Sequence, residues 1–216
     1  MKEAHRVIAI DGPAASGKSS VAYEIAQRLG FLYVNSGAMY RAMTWHVLQH
    51  GVDPDDDAHI ARMAESVRIT CGLENNQSRI LIDGIDPTDH LRDDCVNEGV
   101  SRVSSVPRVR EILVAKMRSY ARQHDLVIEG RDIGSVVFPD SPYKFYIDAS
   151  PEVRLKRRSA QQQRDQIAAR DRADSSRPAS PLVIAEDAHV IDSSNLTIEG
   201  VVGEIIGRLK MKGLAI

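Results

Sequence analysis

Short apolar runs alternate with helical periodicity along most of this chain. Arg6–Asp11 (RVIAID) predicts a buried strand. Val21, Ala22, Ile25, Ala26 and Leu29 then mark one face of a helix over Ser19–Leu29, which Gly30 stops. Phe31–Val34 predicts a second strand, and Ala38 to about His50 a second helix ended by Gly51. Further on, Pro107–His124 predicts a helix with proline in its first turn, and Leu126–Ile128 and Lys144–Asp148 predict strands. Pro151 opens a very basic helix, and Ala188–Ile191 and Thr197–Lys210 give a last strand and a closing helix. Five apolar strands joined by helices predict an α/β fold, a five-stranded parallel sheet flanked by helices on both faces.

Between residues 52 and 105 the pattern changes. The acidic stretch Asp53–Asp57 reads as a loop and helix start, where acids suit the helix dipole. Val67–Gly72 and Arg79–Asp83 alternate apolar and polar positions around Asn75-Asn76, the mark of an antiparallel hairpin. A hairpin interrupts a βαβ series, so 52–105 is expected to be an inserted α+β subdomain on a core of 1–51 and 106–216.

Composition narrows the class of partner. The chain has 216 residues, 43% hydrophobic, with net charge −2, so nothing draws it as a whole to nucleic acid or to a membrane surface. No apolar run approaches the ~18 residues of a membrane span. The first strand begins too early for a signal peptide, and the two cysteines, Cys71 and Cys95, make no disulfide framework. A cytoplasmic protein is expected, and a monomer, since no predicted helix carries a spare apolar face.

Gly12-Pro13-Ala14-Ala15-Ser16-Gly17-Lys18-Ser19 fits G-x-x-x-x-G-K-[ST], placed between a predicted strand and a predicted helix as that motif requires. A loop that wraps phosphate must turn several backbone N–H groups inward, which bulky side chains would crowd, and the helix N-terminus adds partial positive charge. Lys18 then reaches the β- and γ-phosphates, and the Ser19 hydroxyl can ligate Mg²⁺. This implies a P-loop NTPase fold binding a nucleoside triphosphate, and leaves the acceptor open.

Transfer to a phosphorylated acceptor needs arginines, whose planar fork pairs with phosphate oxygens. Three places supply them. Asn35–Arg41 (NSGAMYR) follows the second strand, at the carboxyl edge where open α/β sheets bind ligands, with Ser36 and Arg41 as candidates. Glu129-Gly130-Arg131-Asp132 ends another strand; Asp132 is positioned to hold Mg²⁺ through water or to bind the acceptor. The segment 152–177 holds eight basic residues (Arg154, Lys156, Arg157, Arg158, Arg164, Arg170, Arg172 and Arg177) against four acids, an arginine-rich lid over about 158–178. Together these describe a nucleoside monophosphate kinase.

The motifs IDGPAASGKSS, NSGAMYRA, VPRVR, EGRDIGSVVFPD, RDRADSSR and SPLVIAEDAHVIDSS occur in one order over nearly the whole chain. In this the chain resembles the bacterial cytidylate kinases of the adenylate-kinase-like P-loop group. The resemblance implies γ-phosphoryl transfer from ATP, with Mg²⁺, to CMP or dCMP. It implies that Gly12–Ser20 (Ser20 included) and Arg157 hold ATP. Ser36, Arg41, Ser101, Arg110, Arg131, Asp132, Arg170, Asp174 and Arg177 would hold CMP, with Lys18, Arg131, Asp132, Arg170 and Arg177 carrying the chemistry. The 52–105 insert would be a monophosphate-binding subdomain. The sequence departs from the family pattern in having Asn35 and Glu129 where aspartates are usual, and in a shorter stretch between Arg158 and Arg170.

Overall fold

The computed structural model describes residues 5–74, 77–160, 167–177 and 180–215, and of 71–74, 167, 168 and 170 the backbone alone. Asn75-Asn76, Arg164 and the side chains of Cys71 and Arg170 therefore lie outside the described residues.

Five parallel strands form the centre: β1 (Val7–Asp11), β2 (Leu32–Asn35), β5 (Leu126–Gly130), β6 (Tyr143–Asp148) and β7 (His189–Asp192), in the spatial order β2-β5-β1-β6-β7. β1 and β5 are buried at every residue, which is why they read as continuous apolar runs. Their register aligns Asp11 with Gly130 and Asn35 with Glu129, so the phosphate-loop start and both acidic strand ends share one edge.

The expected sheet of five strands is corrected to seven. The hairpin β3 (Ile69–Glu74) and β4 (Gln77–Ile82) joins the sheet beyond β2, giving the order β3-β4-β2-β5-β1-β6-β7. The join is a single parallel pair, Tyr33 with Gln77, while β3 and β4 pair antiparallel along their whole length. Strand pairing across 44 positions of chain leaves no trace in local periodicity, so the sequence pattern shows the hairpin but not its attachment.

Helix α1 (Lys18–Leu29) packs Val21, Ala22, Ile25 and Ala26 against Val201, Val202, Ile205 and Leu209 of α8 (Ile198–Met211) on one face of the sheet. The other face carries α2 (Ser36–Gln49), α3 (Asp57–Ser66), α4 (Asp94–Val103) and α5 (Pro107–Ala121). Asn35 caps α2 by accepting from the Ala38 N–H at 2.9 Å, and so starts that helix earlier than apolar spacing suggests. α4 is a further helix, with Val96, Val100 and Val103 turned inward at helical spacing. After β5 a π-helical turn, Ile133–Val137, follows the Arg131-Asp132 corner. α6 (Pro151–Ala160) and α7 (Ile167–Ser175) form the basic segment. No helix among the described residues is long and apolar enough to cross a membrane.

Candidate active site

The phosphate loop follows from its two glycines and one strained alanine. Gly12 has φ +154°, and a Cβ there would collide with the Ile147 carbonyl oxygen of β6; the loop leaves the sheet too close to its neighbour for any side chain. Gly17, at φ +93°, is the left-handed N-cap of α1, and Ala15 between them also has positive φ. Lys18 is buried and its Nζ donates to the Pro13 carbonyl at 3.0 Å, folding the cation across the loop. Ser19 and Ser20 are exposed on the first turn of α1.

Arg157, expected on ATP, bonds the backbone of the loop. Its NH1 donates to the Ser16 carbonyl at 3.1 Å, and its NH2 to the Ser193 carbonyl at 2.8 Å. The Ser193 hydroxyl donates to the same Ser16 carbonyl at 2.8 Å. Ala14, Ala15 and Gly17–Ser20 line the cavity, and Gly12, Pro13, Ser16 and Arg157 are not part of its lining. The lid touches the loop as well: the Ala14 N–H donates to Asp171 Oδ1 at 3.2 Å, and Arg154 bridges the Ala14 carbonyl and the Asp171 carboxylate.

At the strand ends the acids take different partners. Glu129, buried at the end of β5, accepts from the Ser19 hydroxyl at 2.9 Å and from the Tyr33 phenol at 3.5 Å. Burial, and then the Glu129 charge, push the Tyr33 phenol up. Asn35 donates to the Tyr33 oxygen at 3.3 Å. Asp132, expected to hold Mg²⁺ through water or to bind the acceptor, forms a buried ion pair with Arg110. Glu129 is thus a site residue that the motifs named only as a departure. The signal for it is the strand end itself, where it stands in register with Ile10 and Asn35. The Ser19 hydroxyl and Glu129 carboxylate are hard oxygen donors of the kind magnesium takes. Among the described residues no group of three or more His, Cys, Asp or Glu is placed to hold a metal alone.

Asp11, the last residue of β1, lies buried and accepts from the N–H groups of Ile133 and Gly134 at 2.8 and 2.7 Å. It thereby fixes the turn that presents Arg131 and Asp132. Burial outweighs those two bonds and pushes its carboxyl up to about 6.

Among the residues expected on the acceptor, Ser36 donates to the Glu129 carbonyl at 2.7 Å and Arg41 NH2 to Asn97 Oδ1 at 3.0 Å. Arg110 also donates to the Ser104 carbonyl at 3.1 Å and lies over the Tyr40 ring at 5.2 Å. Burial pushes the Tyr40 phenol up to about 12. Asp174 of α7 takes Arg131 Nε at 2.8 Å on one oxygen and Arg177 on the other, and Arg177 also reaches the Ser104 hydroxyl at 3.0 Å. Ser36, Arg41, Ser101, Arg110, Arg131, Asp132, Asp174 and Arg177 share with the phosphate loop one cavity of about 1300 Å³. Fixed anion-binding cations at one end and an N–H-lined loop at the other suit two phosphorylated ligands meeting head to head.

The fold is shared with solved structures of low sequence identity. A gluconokinase from Sinorhizobium meliloti superposes with a TM-score of 0.52 at 11% identity, over 98% of this chain and 95% of that one, a likeness of fold alone. The family model for cytidylate kinase matches residues 8–211. The cytidylate kinase of Pelotomaculum thermopropionicum is 43% identical over 215 residues, covering 94% of this chain and 95% of its own. That of Rhodococcus jostii is 43% identical over 218 residues, covering 95% of each. A match over nearly every residue from the first strand to the last helix, on a chain whose cleft joins a phosphate loop to an arginine cluster, means that this chain belongs to the cytidylate kinase family.

Proposed function

We propose that this cleft carries out the family's reaction, transfer of the γ-phosphoryl group of ATP to CMP or dCMP. The observation that carries the assignment is the single cavity lined both by the phosphate loop and by Arg41, Arg110, Arg131 and Arg177. Gly12–Ser20 hold the donor phosphates, with Arg157 bracing the loop. Ser36, Arg41, Ser101, Arg110, Arg131 and Asp132, with Arg170, Asp174 and Arg177 from the lid, hold the acceptor. The insert at 52–105 closes the acceptor side with Ser101, and the core of 1–51 and 106–216 supplies the donor loop and the other acceptor residues.

Such a reaction needs position and charge rather than a base, because the attacking phosphate oxygen is already largely deprotonated at neutral pH. Lys18 neutralises the β- and γ-phosphates, and Arg131 with the lid arginines meets the charge on the equatorial oxygens as the phosphoryl group passes in line. An arginine in that role is worth about 10³–10⁵ in rate, or ~4–7 kcal/mol. The Ser19 hydroxyl and Glu129 would hold Mg²⁺, which when bound supplies further charge neutralisation between the phosphates. A monomeric cytoplasmic enzyme fits this reading.

The test is a coupled ADP-release assay with ATP, Mg²⁺ and a panel of CMP, dCMP, UMP and AMP. CMP and dCMP should be turned over best, and Arg131→Ala should lose turnover while keeping its fold. Preference for a different acceptor would sink the assignment.

A further inference from the structure

The insert sends one more cation to the cleft. Arg92 lies between the 3₁₀ turn Thr88–His90 and α4, and lines the cavity together with Tyr33, Asn35 and Arg41. Its position is set through the backbone. The Asn97 side chain, buried in α4, donates from Nδ2 to the Arg92 carbonyl at 2.9 Å. The same amide accepts from Arg41 NH2 on Oδ1 at 3.0 Å. A buried amide is costly unless both ends are satisfied, so these two bonds fix Arg41 and the Arg92 backbone relative to one another.

The charge pattern separates Arg92 from its neighbours. Arg79, Arg110, Arg131 and Arg177 are each paired with a carboxylate, whereas Arg92 has no carboxylate partner among the described residues. It lines the same cavity as the Tyr33 phenol, where its charge opposes part of the upward push of burial. Ser36, Arg41 and the phosphate loop line that cavity as well. A guanidinium at such a place suits phosphate oxygens by both charge and shape.

We propose that Arg92 is a phosphate-binding residue of the acceptor side, delivered by the insert and set beside Arg41 by Asn97. The proposal rests on the reading of the cleft as a CMP kinase site. Arg92→Ala and Arg92→Lys test it through the KM values for CMP and ATP and through competitive inhibition by cytidine, which lacks the phosphate. Arg92→Ala should raise KM for CMP about tenfold and leave KM for ATP, cytidine inhibition and the melting temperature unchanged. Arg92→Lys should recover part of the loss. An unchanged KM for CMP overturns the proposal, as does a loss shared equally by CMP and cytidine or by CMP and ATP. Wild-type enzyme in the same assay keeps the two readings apart. If it fails to use CMP, the site assignment falls; if it uses CMP and Arg92→Ala matches it, only the role of Arg92 falls.

Discussion

Asp174 Oδ2 accepts from Arg131 Nε at 2.8 Å, fastening the lid helix to the end of β5. The other Asp174 oxygen holds Arg177, and the carboxylate itself is only 3% exposed. Removing one member of a buried ion pair costs about 3–5 kcal/mol, because the charge left behind is unpaired. Asp174→Ala should therefore melt well below the wild type in the absence of ligand. CMP brings a replacement anion, so it should raise the melting temperature more in the variant than in the wild type. Scanning fluorimetry with and without CMP measures both increments; equal increments would mean that Asp174 and the acceptor phosphate do not share these arginines.

The two loop glycines should differ in what they tolerate. Gly12→Ala places a methyl group against the Ile147 backbone, so it should lose both ATP binding and stability. At Gly17 the nearest atom to an added Cβ is 3.6 Å away, and the cost there is that of the left-handed conformation, about 1–2 kcal/mol. Melting curves and KM for ATP on both variants check the order; Gly12→Ala milder than Gly17→Ala would contradict the geometry.

Arg157 donates to the loop backbone at Ser16, so its expected role on ATP can be tested through that bond. Arg157→Ala frees the Ser16 carbonyl from one of its two donors, and KM for ATP should rise about tenfold with KM for CMP unchanged. A rise in KM for CMP alone would place Arg157 on the wrong substrate.

Asp11 gives the fold a pH dependence of defined sign. Its carboxyl stands at about 6 in the folded chain against an ordinary 3.8, because burial penalises the charge. The folded state therefore holds this proton more tightly than the unfolded one. The stability it contributes is present in full below about pH 4 and is lost as pH rises through about 6. The expected change is about 3 kcal/mol, at ~1.36 kcal/mol for each tenfold difference in proton affinity between the two states. Asp11→Asn lacks this titration, so the wild-type advantage over the variant should shrink by that amount between about pH 4 and pH 7. Urea melts at several pH values give the difference directly, and a flat difference would refute the assignment.

The phosphate loop and the five parallel strands were legible because each is written locally. A run of apolar residues, a glycine spacing and a lysine before a serine need no distant partner. The lid's composition was legible in the same way. What periodicity does not encode is pairing. Nothing near Glu129 says that its carboxylate meets Ser19, nor near Asp132 that it meets Arg110, since the partners are 110 and 22 positions away. Arg157 shows the same limit, for nothing near it says that it bonds the Ser16 carbonyl, 141 positions away. Helix α4 is a different case: Val96, Val100 and Val103 carry the helical spacing, but a short stretch inside a segment already read as hairpin and loop drew no assignment of its own.

The insert has no interior of its own. Ile60 of α3, Ile80 and Ile82 of β4, and Val96 and Val100 of α4 belong to the same buried cluster as Leu32 and Val34 of β2, Met43 of α2 and Leu113 of α5. That apolar mass closes one face of the parallel sheet, so excising 52–105 would strip the cover from β2 and α2 rather than release a lobe. The insert and the sheet face it covers are therefore expected to melt together. A weakened contact anywhere in that mass reduces the population of the whole catalytic cleft at once.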